Sequence, residues 1–406
     1  MFQNDFPFLR EVPGTIFLDS AASAQKPDRV IHSLVGCLSH SYANIHRGSY
    51  DLSERAEALY EDSKKRVARF LGASSPHEII YTYNATYAFN LLARSLVKSE
   101  LLKKGDVVLL SRLEHHANIV PWQIIAEEYG IQIQWIDITP EGRIDLDDLS
   151  QKLAPNVKLI SLSGASNVTG ATLDINAVHE VLRRYMMRKL ADRPLLVIDG
   201  SQSFPHFQID VSRYDIDFFI ATGHKVMSDT GIGILYGKKQ LLKSMLPAFC
   251  GGGAINTVSE SGYEVAGLPY RYEPGTPHIA GAASLGAALL YIEEKGGYEV
   301  IEKHEQMLVM HVLKYIPKLP GGVRLIGPQD VHGRIGAFSF AFDRHHPKDI
   351  ADSLADRGIA VRAGHHCTEP LHAYYGIPAS LRMSLYIYNT TEDIDAFFRE
   401  LFLLTA

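Results

Sequence analysis

Five short apolar runs, separated by stretches of helical spacing, constrain this chain more than any other feature. They are Val107–Leu110, Ile131–Ile138, Leu159–Leu162, Leu195–Ile198 and Phe218–Ala221, each bounded by Gly, Pro, Asp or Ser. Between them, Val120–Tyr129 and Asn176–Arg188 carry apolar residues at helix period. An unbroken apolar run suits a strand covered on both faces, and strand–helix alternation lays successive strands parallel. The expected fold is therefore α/β with a mostly parallel sheet. Earlier in the chain, Leu52–Leu71 reads as an amphipathic helix with Leu52, Ala56, Leu59, Tyr60, Val67, Phe70 and Leu71 on one face.

The texture changes after about residue 250. Gly251–Gly253 is a glycine run, and Tyr272–Pro277 holds two prolines and a glycine. Helix-like Ala280–Lys295 leads into strand-like Arg334–Phe342, helix-like Lys348–Arg357, strand-like Ile359–Arg362 and Arg382–Ile387, and a final helix over Thr391–Leu403. This reads as a second, smaller α+β domain. A chain of 406 residues is expected to hold two or three domains at roughly 100–200 residues each. The expected division is 15–277 and 278–406, with residues 1–14 joining the smaller part.

Composition narrows function by exclusion. A net charge of -6 without long runs of like charge offers no basic footprint for nucleic acid. The densest basic stretch, Arg183, Arg184, Arg188, Lys189 and Arg193, reads as the solvated face of a helix. No apolar run approaches the ~18 residues of a membrane-spanning helix. Met1 to Arg10 contains Asp5 and no long apolar stretch, so no signal peptide is expected. Cys37, Cys250 and Cys367 are odd in number, far apart and outside any CxxC pair. Neither a disulfide framework nor a cysteine-based metal site is expected, and reduced thiols in the cytoplasm fit best.

Two strand ends carry the first chemical signal. Leu195–Asp199 has a buried-strand pattern closed by a carboxylate, and Phe218–Lys225 has another, closed by Thr222, Gly223, His224 and Lys225. Ligands of open α/β sheets gather at the carboxyl ends of strands. Lys225 lies 26 residues after Asp199 (225 − 199), about one crossover, so both side chains can reach one sheet edge. A Schiff-base lysine and an acid for the pyridinium nitrogen are what pyridoxal phosphate requires of a protein. A helix-capping Asp199 and an exposed Lys225 remain open as the alternative. Asn84-Ala85-Thr86 follows strand-like Ile79–Tyr83 and opens helix-like Tyr87–Val97, a natural phosphate site, although a plain helix cap also accounts for Thr86.

These segments belong to a longer ordered set. It includes Leu18–Pro27, His46-Arg47-Gly48, Glu114–Gln123, Ser166-Asn167-Val168, Thr222–Lys225, Thr230–Tyr236, Gly275-Thr276-Pro277 and Arg362–Cys367. The set resembles the fold-type I pyridoxal-phosphate enzymes of the class V aminotransferase superfamily, and most of all the SufS-type (group II) cysteine desulfurases. The likeness runs from near the N-terminus to about residue 395. It implies a large domain with a seven-stranded, mostly parallel sheet, plus a smaller α+β domain.

The resemblance also implies roles. Lys225 corresponds to the Schiff-base lysine, Asp199 to the pyridinium partner, Gln202 to the contact of the ring phenolic oxygen and His115 to the histidine stacked on the ring. Thr86, Thr222 and His224 correspond to phosphate ligands. Thr276 corresponds to a threonine that reaches the phosphate in the partner subunit, which implies a homodimer. Asn167 and Arg382 fall near the substrate carboxylate, with Arg362 and His46 also at the substrate; an arginine fork suits a carboxylate, although a salt bridge fits Arg382 as well. The chain departs from the family pattern at Ala85 (usually a second threonine), Thr222 (usually serine), Ser201 (usually alanine) and Ser228-Asp229 (usually Gly-Pro). Ala85 removes one hydrogen bond to the phosphate, worth on the order of 1 kcal/mol.

Cys367 selects the reaction. It sits in a glycine-containing loop beside Arg362, His365 and His366, and cationic or hydrogen-bonding neighbours raise the thiolate fraction of a thiol. A lone cysteine is more often a small buried residue, and adjacent His-His-Cys lacks usual metal-ligand spacing. The resemblance aligns Cys367 with the nucleophile of the desulfurases. It implies that L-cysteine becomes L-alanine, that Lys225 moves the Cα proton with His115 as a second acid/base, and that Cys367 keeps the sulfur as a persulfide. A small acceptor protein of the SufE or SufU type would then carry the sulfur toward iron–sulfur cluster assembly. The alternatives are a lyase of the same superfamily acting on L-selenocysteine or cysteine sulfinate, and a non-catalytic assembly partner.

Overall fold

A computed structural model describes residues 2–46, 48–189 and 192–406. Arg47 and the side chain of Lys189 lie outside the described residues. The chain opens with the short strand β1 (Ile16–Phe17). The central sheet is built from β2 (Ile79–Thr82), β3 (Val107–Ser111), β4 (Gln132–Ile136), β5 (Val157–Ser163), β6 (Leu195–Asp199), β7 (Phe218–Thr222) and β8 (Gly233–Gly237). Its order is β2-β8-β7-β6-β5-β3-β4, and β8 alone runs against its neighbours. The mostly parallel sheet expected from the alternation is present, with the seven strands that the resemblance implies. Strands β3, β7 and β8 are buried at every residue, while edge strand β4 alternates between exposed and half-buried positions before ending on buried Ile136. Apolar clusters cover both faces of the sheet, one rich in helix Ile279–Glu294 and the other in helix Ala85–Lys98.

An exposed hairpin follows, β9 (Ile255–Ser259) with β10 (Gly262–Val265). A smaller antiparallel sheet is built from β11 (Val323–Ile326), β12 (Ala337–Phe342), β14 (Arg362–Gly364) and β15 (Ser380–Ser384), while β13 (Ile359–Ala360) belongs to a separate two-stranded sheet. The order of the antiparallel sheet is β11-β12-β15-β14, and helices Pro347–Ala355 and Thr391–Thr405 pack with it around a third apolar cluster. Strand β13 pairs in parallel with β1, and Asp19 bridges to Ser384. The N-terminal segment is thereby fastened to the smaller sheet, and Asp19 is delivered beside the end of β15.

Several expectations need correction. Leu52 and Leu59 are exposed; the buried face of helix Asp51–Phe70 runs instead through Ala56, Tyr60, Ser63, Lys64 and Val67. Lys64 is buried because Glu273 neutralises it at 2.8 Å beneath the rings of Tyr60, Tyr81 and Tyr270. The run Arg382–Ile387 is not one strand. Pairing with β12 stops at Ser384, after which Tyr386 and Ile387 join the core under helix Ile279–Glu294. Arg183, Arg184 and Arg188 are exposed as expected, but Arg193 is half-buried against Asp217 at 2.9 Å. Cys37 is buried, while Cys250 and Cys367 are exposed and free. Among the described residues, no group of acids, histidines and cysteines could hold a metal, and no helix is long and apolar enough to cross a membrane.

Candidate active site

Loops leaving the carboxyl ends of the central strands enclose a cavity of ≈ 340 Å³. β2 leads to Asn84, Ala85 and Thr86, and β3 leads to His115. β5 ends at Ser163 and leads to Asn167, β6 ends at Asp199 and leads to Gln202, and β7 ends at Thr222 and leads to His224 and Lys225. Arg362, His366, Cys367 and Arg382, from β14, β15 and the loop between them, complete the lining. The cavity thus gathers Thr86, His115, Asn167, Asp199, Gln202, Thr222, His224, Lys225, Arg362, Cys367 and Arg382.

His46 and Thr276 are not among the residues lining it. His46 adopts φ 78°, with its ring edge-on to Tyr270 at 4.8 Å and Nδ1 3.5 Å from Glu57. Thr276 lines a separate cleft with Tyr83, Tyr87 and His278.

Charge and burial tune the group. Burial lowers the pKa of Lys225 to about 8, with Asp199 opposing and Arg382 adding to the shift. Burial raises Asp199, while hydrogen bonds from Ser201 and the charge of Lys225 pull it back; the Ser201 N–H donates to Oδ1 at 2.9 Å. Burial, then the charge of Lys225, lowers His115 to about 3, so its ring is neutral near pH 7. Its Nδ1 accepts the Ala117 N–H at 3.0 Å, which leaves the proton on Nε2. His224 falls to about 4, again chiefly through burial. Gln202 is oriented by donating Nε2 to the Ala21 carbonyl at 2.8 Å.

Next to His115 lies an acid that the sequence marks only as the first residue of the Glu114–Gln123 motif, with no role assigned. Glu114 is fully buried and accepts from Asn118 Nδ2 at 2.6 Å, from Ser163 Oγ at 2.7 Å and from Ser111 Oγ. Burial raises its pKa to about 7. Asp19 is a second such residue: its carboxylate meets Arg362 at 2.7 Å and Arg382 at 3.1 Å. Arg382 Nη1 donates to the Asn167 carbonyl at 3.3 Å, and its buried Nε has no hydrogen-bond partner among the described residues. Leu18–Pro27 marks the Asp19 segment by resemblance, yet the arginines it binds lie more than three hundred residues away.

The Cys367 loop is clamped. His366 and Cys367 both have left-handed backbone, φ 53° and 58°. Non-glycine residues there cost on the order of 1–3 kcal/mol each and persist where the surroundings over-determine them. Asn167 Nδ2 donates to the His366 carbonyl at 2.9 Å, His366 Nε2 sits 3.1 Å from Ser380 Oγ, and the His116 N–H donates to the Cys367 carbonyl at 2.9 Å. Asn167 is therefore already committed to this loop through its amide.

The lining fits pyridoxal phosphate. Thr222 Oγ1 is buried with no hydrogen-bond partner among the described residues, which suits a phosphate oxygen. Helix Ala85–Lys98 begins at the cavity, with Asn84 capping the Tyr87 N–H; the N–H groups of Ala85 and Thr86 have no intrahelical partner. Ala85 contributes only a methyl group at this turn. Ser228 and Asp229 have an evident use, since Ser228 Oγ and the Asp229 N–H both meet Ser284 Oγ, at 2.7 and 3.1 Å, and tie the loop after Lys225 to helix Ile279–Glu294.

A seven-stranded sheet with a lysine and a buried acid at neighbouring strand ends defines a pyridoxal-phosphate enzyme of fold type I. More narrowly, the chain belongs to the aminotransferase class-V family, whose pattern matches residues 16–397. It is 40% identical over 395 residues to a cysteine desulfurase of Salmonella dublin, covering 96% of this chain and 94% of that one. It is 38% identical to a probable cysteine desulfurase of Streptomyces coelicolor, over 97% of this chain and 94% of the other. Among solved structures, the apo cysteine desulfurase of Thermococcus onnurineus superposes with a TM-score of 0.92 at 33% identity, over 99% of this chain and 97% of that one. The cysteine desulfurase CsdA of Escherichia coli, in its S-sulfonic acid form, does so with 0.88 at 33% identity, over 98% and 96%.

Proposed function

We propose that this enzyme is a cysteine desulfurase of the SufS type, which converts L-cysteine to L-alanine and keeps the sulfur as a persulfide on Cys367. The observation that carries the reading is an exposed cysteine on a clamped loop lining the same cavity as Lys225. Pyridoxal phosphate, when bound, supplies an electron sink for the carbon next to the substrate nitrogen. Lys225 is its attachment point, and Asp199 keeps the ring nitrogen protonated. Thr86, Thr222 and His224 hold the phosphate, Gln202 contacts the ring and His115 covers its face.

Arg382 and Arg362 bind the substrate carboxylate, beside Asn167. Lys225 Nζ takes the Cα proton; with a pKa lowered to about 8, the amine is a competent base near neutral pH. Cys367 Sγ forms a bond to the substrate sulfur as the carbon–sulfur bond breaks. The carbon fragment is reprotonated and leaves as alanine, while Cys367 retains the second sulfur. His115 assists the proton transfers.

The active unit is a homodimer in this reading. Ile31, Val35, Leu38 and Tyr42 form an exposed apolar stripe on and just beyond helix Asp28–His40, which a second copy would cover. Thr276, and His46 with it, then serve the partner's cavity. Residues 15–277 and 278–406 form the two domains, the enzyme works in the cytoplasm, and a small acceptor of the SufE or SufU type takes the sulfur for iron–sulfur cluster assembly. Incubation with cysteine, followed by mass spectrometry of the Cys367 peptide, tests the reading. It expects one added sulfur that dithiothreitol removes; an unmodified peptide during turnover contradicts it.

A further inference from the structure

The turn that carries His115 into the cavity also grips the cysteine loop from outside. The main-chain N–H of His116 holds the Cys367 carbonyl at 2.9 Å. Two residues past Cys367, the Glu369 N–H donates to His116 Nε2 at 3.4 Å, while the Glu369 carboxylate lies against the same ring nitrogen with one oxygen and faces His365 Nδ1 at 3.6 Å with the other. His365 and Glu369 thus flank Cys367 in sequence, and a single carboxylate ties both flanks to the 115–118 turn. All three side chains are partly exposed, so this is an external fastening, separate from the buried contacts of Asn167 and Ser380 with His366.

We propose that Glu369 is a positioning residue that fixes the reach of Cys367 over the cavity by bridging His116 and His365. It touches neither substrate nor cofactor. Its effect passes through the loop, whose left-handed residues His366 and Cys367 need an external constraint to stay in place. The inference rests on the desulfurase reading for its kinetic consequence, but not for its structural one.

Two readouts on the holoenzyme separate them. Glu369→Ala is expected to lower kcat for alanine release from cysteine about tenfold or more, as misplacement of a reacting group does, with KM and the cofactor absorbance unchanged. Glu369→Gln, which keeps the side-chain length and one of the two bridging oxygens, recovers part of kcat. Alkylation of Cys367 by iodoacetamide, followed on its own peptide because Cys250 is also exposed, becomes several-fold faster in Glu369→Ala and in His116→Ala, and no faster in the double variant. An unchanged alkylation rate, additive single effects, or a loss of activity that tracks loss of cofactor overturns the proposal. If wild type releases no alanine, the desulfurase reading fails, and the alkylation series alone decides whether Glu369 fastens the loop.

Discussion

Asp19 Oδ1 lies 3.1 Å from Arg382 Nη2, while the same carboxylate lies 2.7 Å from Arg362. One acid, delivered by the β1 segment, therefore holds both arginines of the cavity. Arg382 is buried and, among the described residues, has no other acidic partner. Asp19→Asn leaves that guanidinium uncompensated and is expected to lower stability by about 2–3 kcal/mol, less than a fully buried pair because the site opens to the cavity. A bound carboxylate replaces the missing charge. The rise in Tm on adding L-alanine is therefore larger in Asp19→Asn than in wild type; an equal rise contradicts the pairing.

Lys225 has its pKa lowered to about 8, and Asp199 opposes the shift. Only the neutral amine condenses with an aldehyde. The rate at which apoenzyme takes up pyridoxal phosphate should climb through about pH 8, well below the range of a solvated lysine. Asp199→Asn removes the charge that supports protonation, so its inflection moves to lower pH. Stopped-flow absorbance measures both; an inflection above pH 10 rejects the buried environment.

Glu114 has a folded pKa near 7 against an ordinary value of 4.5. A raised acid contributes stability that is fully present below the unfolded pKa and is lost as pH rises through the folded one. Wild type should thus lose on the order of 3 kcal/mol relative to Glu114→Gln between about pH 4.5 and 7, and nothing further above it. Denaturant midpoints of both proteins across that range read the difference. A gap that does not change with pH contradicts the burial argument.

Lys64 and Glu273 form a buried pair at 2.8 Å, and Glu273 also accepts the Tyr81 N–H and the Tyr60 hydroxyl. Removing one partner strands the other, so Lys64→Met should cost about 3–5 kcal/mol. Adding Glu273→Gln to it should cost less than the two single changes summed. Additive losses in urea unfolding contradict the coupling.

The sheet was legible because its strands are covered on both faces and so read as unbroken apolar runs. The hairpin Ile255–Val265 escaped notice because its residues are nearly all exposed and no apolar alternation marks it. At Asp199 and Lys225 the spacing allows one sheet edge but leaves a helix cap and an exposed lysine open, and the ordered motifs around them are what select the cofactor roles. Asp19 and Glu369 were not legible as working residues. Their partners are hundreds of positions distant, at Arg362 and at His116, and only the folded chain brings them together. Arg193 reads as surface because its partner Asp217, 24 residues on, is brought to it only by the crossover into β7.

The central claim divides the chemistry between Lys225, which handles cofactor and proton, and Cys367, which takes the sulfur. Cysteine-dependent alanine formation by wild type and Cys367→Ala, with cofactor absorbance recorded alongside, tests it most directly. The expected result is full cofactor absorbance in both proteins, alanine from wild type, and almost none from Cys367→Ala. Alanine released by Cys367→Ala at the wild-type rate would contradict it.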